Sequence, residues 1–193
     1  MVSWLYRRWV TATLWMGILL LLLLPIPILR LQWSWFLVLI YLHTPIYMLH
    51  QVEEHTGDRF RRFVNQHVFG GVEGLTPAAV LVINIPCVWG VTLLALYLAV
   101  VAGAGWGLIA TWLVAVNGLV HIVAAIAQRI YNPGLWTAVF LFLPLSCVTL
   151  LKSAGVQATW IHHMAGLSVA VIIHAVIIVH TRNRAARLRA AHS

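Results

Sequence analysis

Residues 33–63 read WSWFLVLIYLHTPIYMLHQVEEHTGDRFRRF. The first two-thirds of this stretch is apolar enough to cross a bilayer, which takes about twenty residues of helix. It ends in two adjacent carboxylates, Glu53 and Glu54, and then in Arg59, Arg61 and Arg62. Backbone polar groups cannot stay unpaired in hydrocarbon, so a segment of this kind is helical. An apolar run closed by basic residues recurs along the chain, and this recurrence decides the fold class.

The composition agrees. The chain has 193 residues, 62% of them hydrophobic and 8% charged, with ten Trp. Soluble domains are about half apolar and about a quarter charged. A soluble fold cannot hide so much apolar surface, so lipid is the expected solvent. The net charge of +8 is carried between the apolar runs. This placement points to membrane topology and anionic lipid, not to nucleic acid. Cys87 and Cys147 lie inside apolar runs and read as small buried hydrophobes.

Six spans are predicted, at 10–29, 33–52, 76–100, 105–127, 134–151 and 159–180, forming one all-α transmembrane bundle over 1–193. The first follows Arg7 and Arg8, as a signal peptide would. Its length exceeds the usual ~7–15 residues of a signal's apolar core, and an uncleaved span is expected. Pro45 and Pro86 fall inside spans, where proline bends helices. Segment 59–69 is expected to lie on the membrane as an amphipathic helix. His55, Asp58, His67 and Glu73 are expected to be solvated beside it.

Ten bases lie in one alternate set of connections: Arg7, Arg8, Arg59, Arg61, Arg62, Arg129, Arg182, Arg184, Arg187 and Arg189. The other set holds Arg30 and Lys152. The positive-inside rule therefore predicts both termini in the cytoplasm, a basic cytoplasmic tail at 182–193, and a multi-pass protein of the inner membrane.

This orientation gives the intramembrane polar residues a depth. His50, His121 and His174 precede their first cytoplasmic Arg by nine, eight and eight residues. At 1.5 Å per residue, all three fall about 12–13 Å from it, in one layer. Asn117 shares a helix face with His121, and Glu53 and Glu54 share one with His50. Asn84 enters at a similar depth. Ionisable groups in a span cost a few kcal/mol each, and neighbouring carboxylates resist joint ionisation without a cation. A divalent metal satisfies both demands, and His with carboxylate suits zinc, iron or manganese. The candidate ligands are His50, Glu53, Glu54, Asn117, His121 and His174. Glu53 or Glu54 is also the candidate general base. His162 and His163 lie too far along the sixth span to join them.

Three short motifs accompany this layer: HQVEE at 50–54, NGLVH at 117–121 and YNPG at 131–134. Together and in this order they resemble the HxxEE, NxxxH and YxPG signatures of the HXXEE family of membrane proteins. The resemblance implies signature roles for His50, Glu53, Glu54, Asn117, His121, Tyr131, Pro133 and Gly134, and carries no established activity. Pro133 and Gly134 read as a tight turn, over which Tyr131 can cap the site. Three functions stay open from the residues alone. One is a metal-dependent enzyme that hydrolyses or oxidises a lipid-like substrate. The others are a transporter or ion-binding protein, and a scaffold whose polar residues join helices. Membrane lipid is the expected partner; the oligomeric state is not legible.

Overall fold

The computed structural model describes residues 2–191. The side chain of Arg7 and the last two residues of the basic tail lie outside the described part. Six helices are long enough and apolar enough to cross a membrane: Arg8–Arg30, Trp35–Val68, Pro77–Val101, Ala104–Gln128, Leu135–Val156 and Trp160–Ala190. No strand occurs among the described residues. We number the regular helices that frame the site α1 (Val2–Leu22), α2 (Trp35–His55), α3 (Arg59–Phe63), α4 (Leu108–Gln128), α5 (Leu135–Thr137) and α6 (Trp160–Ala190).

Local chemistry sets the helix ends. Ser34 accepts from Leu37 N–H before α2, and Thr76 accepts from Ala79 N–H before Pro77 opens the third span. Such caps satisfy amides that have no partner within the helix. Pro86 lies in a π-helical stretch, Ile83–Trp89. Pro45 is held within α2.

The second apolar helix runs beyond its expected end. After His55 the backbone turns through Gly57 and Asp58, both at positive φ, and continues as α3 and a π-helical turn, Val64–Val68. Asp58 receives Tyr6 Oη–H and the Arg61 guanidinium, which fastens this turn to α1. The aromatic side of 59–69 faces inward: Phe60, Phe63 and Phe69 line a cavity inside the bundle. His55 is also buried, at 5% exposure, with the Trp9 ring against it. The expectation of a solvated His55 is corrected, because α2 carries it below α1 instead of out into the connection.

α1 packs on α2, and α4 on α6. Gly166 makes the second pairing close. A Cβ there would lie 2.7 Å from the Leu108 carbonyl oxygen, and small residues permit such approach between membrane helices. The core nearest the site is Tyr47, Val88, Val114 and Phe142. α6 continues through the tail to Ala190, where Arg184 and Arg189 bond the carbonyls of Glu73 and Phe69.

Candidate metal centre

α2 delivers His50 and Glu54 one turn apart on one face. α4 delivers His121. The Nε2 atoms of His50 and His121 lie 3.6 Å from Glu54 Oε2 and Oε1 respectively. All three residues are buried, and one ligand atom from each lies within 4.8 Å of the others. Two donor atoms held tetrahedrally at ~2.0–2.2 Å from zinc lie about 3.3–3.6 Å apart. The two His–carboxylate spacings meet this range, and the group could hold a metal ion.

The hydrogen bonds behind the rings decide which atoms face inward. His50 Nδ1 is 2.7 Å from Thr137 Oγ1, and the Thr137 hydroxyl donates to Glu53 Oε2 at 2.6 Å. That hydroxyl has one proton, so His50 Nδ1–H must be the donor to it. His121 Nδ1 is 2.6 Å from Asn132 Oδ1, while Asn132 Nδ2–H donates to the His121 carbonyl at 2.8 Å. This fixes the amide and makes His121 Nδ1–H a donor too. Both rings thus turn a lone pair at Nε2 toward the Glu54 carboxylate. Metal-binding histidines are oriented in this way by groups behind them.

A third ring meets the same carboxylate. Trp89 Nε1–H, which can only donate, bonds Gln51 Oε1 at 2.8 Å. Gln51 Nε2–H therefore donates to Asn84 Oδ1 at 2.9 Å, and Asn84 Nδ2 faces His55 Nε2 at 3.2 Å. The same ring nitrogen lies 3.0 Å from Glu54 Oε2, the spacing of a His55 Nε2–H donor to the carboxylate, and His55 Nδ1 is buried without a partner. His50 Nε2 is buried without a hydrogen-bond partner. The His50 and His121 Nε2 lone pairs both face the Glu54 carboxylate, and a buried acceptor without a partner is costly. A metal ion is one species that could satisfy the His50 and His121 lone pairs together with the carboxylate. Phe142, Tyr47 and Phe60 pack on the His50 and His121 rings and keep the surroundings apolar.

The other residues singled out from the sequence are placed around this group. Glu53 is engaged behind it: Oε1 accepts from Tyr131 Oη–H and Trp136 N–H, and Oε2 from Thr137 N–H and Oγ1–H. It caps the first turn of the fifth span and, through Thr137, orients His50. Asn117 and His174 line the cavity beside the group; among the described residues, His50, Glu54 and His121 are the His and carboxylate side chains close enough together to hold an ion. His174 Nδ1–H donates to Ala170 O at 2.8 Å, and Asn117 Oδ1 is buried without a partner. His163 is engaged elsewhere, near Trp112 and Ser153.

The YNPG segment is more than a turn. Arg129 and Gly134, at φ 54° and 100°, fold the link between α4 and α5 back over the site. Gly134 lies against both rings: a Cβ there would be 2.7 Å from His50 Cε1 and 2.8 Å from His121 Cε1. Tyr131 reaches Glu53, and its phenol is pushed up to about 12 by burial and by that hydrogen bond. Asn132 is the residue that sequence reasoning missed, with Thr137 and His55. Replacing Asn132 by Leu leaves His121 Nδ1–H without its acceptor, and metal affinity is expected to fall about 10–100-fold, measured by competition with a chelating dye.

Fold and cluster together define a multi-pass type of helical bundle with an internal His/Glu group able to hold a metal ion. The chain belongs to the HXXEE family, described as proteins of unknown function with an HXXEE motif, and the family's pattern matches residues 41–149. No curated protein and no solved structure matches it.

Proposed function

We propose that the chain is a metal-dependent membrane enzyme acting on a lipid-like substrate, with His50, Glu54 and His121 as the metal ligands. The observation that carries this reading is the convergence of two Nε2 lone pairs on one buried carboxylate. Two His and one carboxylate leave positions open on zinc, iron or manganese, as catalytic sites require. When bound, such an ion supplies Lewis acidity and a more acidic water.

The chain's own groups would divide the remaining work. His55 stands beside Glu54 with its Nε2 3.0 Å from Oε2, and is the group placed to exchange a proton with that carboxylate. The Glu53–Thr137 pair holds the His50 tautomer, and the YNPG segment closes the site. On the charge count of the connections, both termini and the mouth of the site lie on the cytoplasmic side of the inner membrane.

The test is elemental analysis of the purified full-length chain, followed by turnover of membrane lipid extracts by the loaded protein. About one ion per chain, retained through turnover, is expected. Metal movement across proteoliposomes without substrate consumption would favour a transporter. Absence of metal after reconstitution with zinc, iron and manganese would leave the scaffold reading.

A further inference from the structure

A cavity of about 250 Å³ adjoins the His/Glu group. Along α4 its lining runs from Leu113 to Gln128, fifteen residues apart, or about 22 Å of helix. Half of a bilayer's hydrocarbon is about 15 Å. The lining therefore extends along α4 for more than the depth of one leaflet, a reach that suits an extended hydrocarbon chain. Most of the wall is apolar. Among the polar groups on the wall, Glu54 and His121 stand part-way along it, with Asn117 and His174 beside them.

Three features indicate what enters. Val120 and Ile178 line the cavity and are also 43% and 48% exposed. In a membrane-spanning helix such exposed apolar side chains are where lipid would meet an opening of the cavity. Arg182 lies at one end and has no ion-pair partner among the described residues. Eight residues beyond His174, it stands about 12 Å from that layer by helix rise. Asn117 Oδ1 is buried and unpartnered, one turn from His121 on the side away from Gln128. An occupant that brings a hydrogen-bond donor to this level removes the cost of that orphaned oxygen.

We propose that the cavity takes an anionic single-chain amphiphile from the bilayer, its head at Arg182 and its chain passing the His/Glu group, with a mid-chain hydroxyl received by Asn117. This names the substrate class of the site proposed above and rests on that reading. The polar group of the chain would lie beside the metal ligands, and the tail would continue toward Leu113.

The test is competitive binding of oleate and ricinoleate, its mid-chain hydroxy analogue, to the detergent-released full chain, read by native mass spectrometry with metal content measured on the same samples. Ricinoleate is expected to be preferred about 5-fold, the worth of about one hydrogen bond. Asn117→Leu should abolish the preference while oleate still binds. Arg182→Gln should weaken both acids, and the neutral methyl esters should bind the unaltered protein less well than the acids. Equal binding of oleate and ricinoleate, or of acids and esters, to the unaltered protein overturns the proposal without recourse to any variant. Amphiphile binding as expected in a chain that takes up no metal would sink the metal reading alone. Loss of the binding pattern with metal bound would sink this one alone.

Discussion

Glu54→Gln is expected to empty the metal centre while leaving the fold in place. Glu54 is the only anion in the group, and both imidazoles and His55 Nε2 face it. Gln keeps the volume and removes the charge that a divalent ion needs. Its NH₂ can also donate to one of the Nε2 lone pairs, which partly satisfies the apo site. Altering groups behind a ligand costs about 10–100-fold in metal affinity, so loss of this ligand is expected to exceed about 100-fold. Metal content by mass spectrometry should drop from about one ion per chain to under about a tenth. Stability provides a second readout. An ion at one hundred times its Kd stabilises the protein that binds it by about 2.7 kcal/mol. A chelator should therefore lower the melting temperature of the native chain and leave that of Glu54→Gln unchanged. Stoichiometric metal in the Glu54→Gln protein would remove the basis for the centre.

The six spans were legible because membrane solvent makes their signal one-dimensional: length, hydropathy and flanking charge. Their ends were less so. The second helix was expected to stop near residue 52, yet α2 extends to His55 and helix resumes at Arg59. Lipid sets where apolar residues must begin, while a helix ends where its caps and partners allow. Here Tyr6 and Trp9 on α1 hold the extension through Asp58 and His55.

The site was readable by depth and by motif, and both have a limit. Depth along the spans placed His50, His121, Asn117 and His174 in one layer, and the structure does set all four around one region. Depth says nothing of the direction around each helix axis. That angle separates Glu54, which faces His121, from its neighbour Glu53, which faces the start of the fifth span. The distinction could be anticipated only with the packing partners known. Asn132 carried no apolar periodicity and no charge, and it lies in a short link. Its role follows from the positive φ at Arg129, which turns the chain back toward His121. His55 looked solvated because it precedes the polar run TGDR. The signal that could have found it is His50, Glu54 and His55 within one and a half turns, with Asn84 at a similar depth.

Gly134→Ala should be strongly damaging, because one added methyl group has two independent objections to meet. The backbone is at φ 100°, which L side chains rarely adopt, and the methyl carbon would lie 2.7 Å and 2.8 Å from ring carbons of His50 and His121. Strained φ costs about 1–3 kcal/mol, and overpacking a filled interior about 1–3 kcal/mol. Relief requires one of two movements. If the rings retreat, the spacing of Nε2 to Glu54 changes. If the link withdraws, Asn132 leaves His121 and Tyr131 leaves Glu53. Either way the ligands lose their alignment, so the variant is expected to lose about 2–5 kcal/mol of stability and at least about ten-fold in metal affinity. Gly90→Ala is the control. Nothing lies within 4 Å of a Cβ there, and the backbone is helical at φ −58°, so alanine should be neutral or stabilise by up to about 1 kcal/mol. Stability is read by denaturation in detergent and affinity by dye competition. If Gly134→Ala bound metal like the native chain, the glycine would not be pressed against the ligand rings, and the YNPG segment would revert to an ordinary turn between two helices.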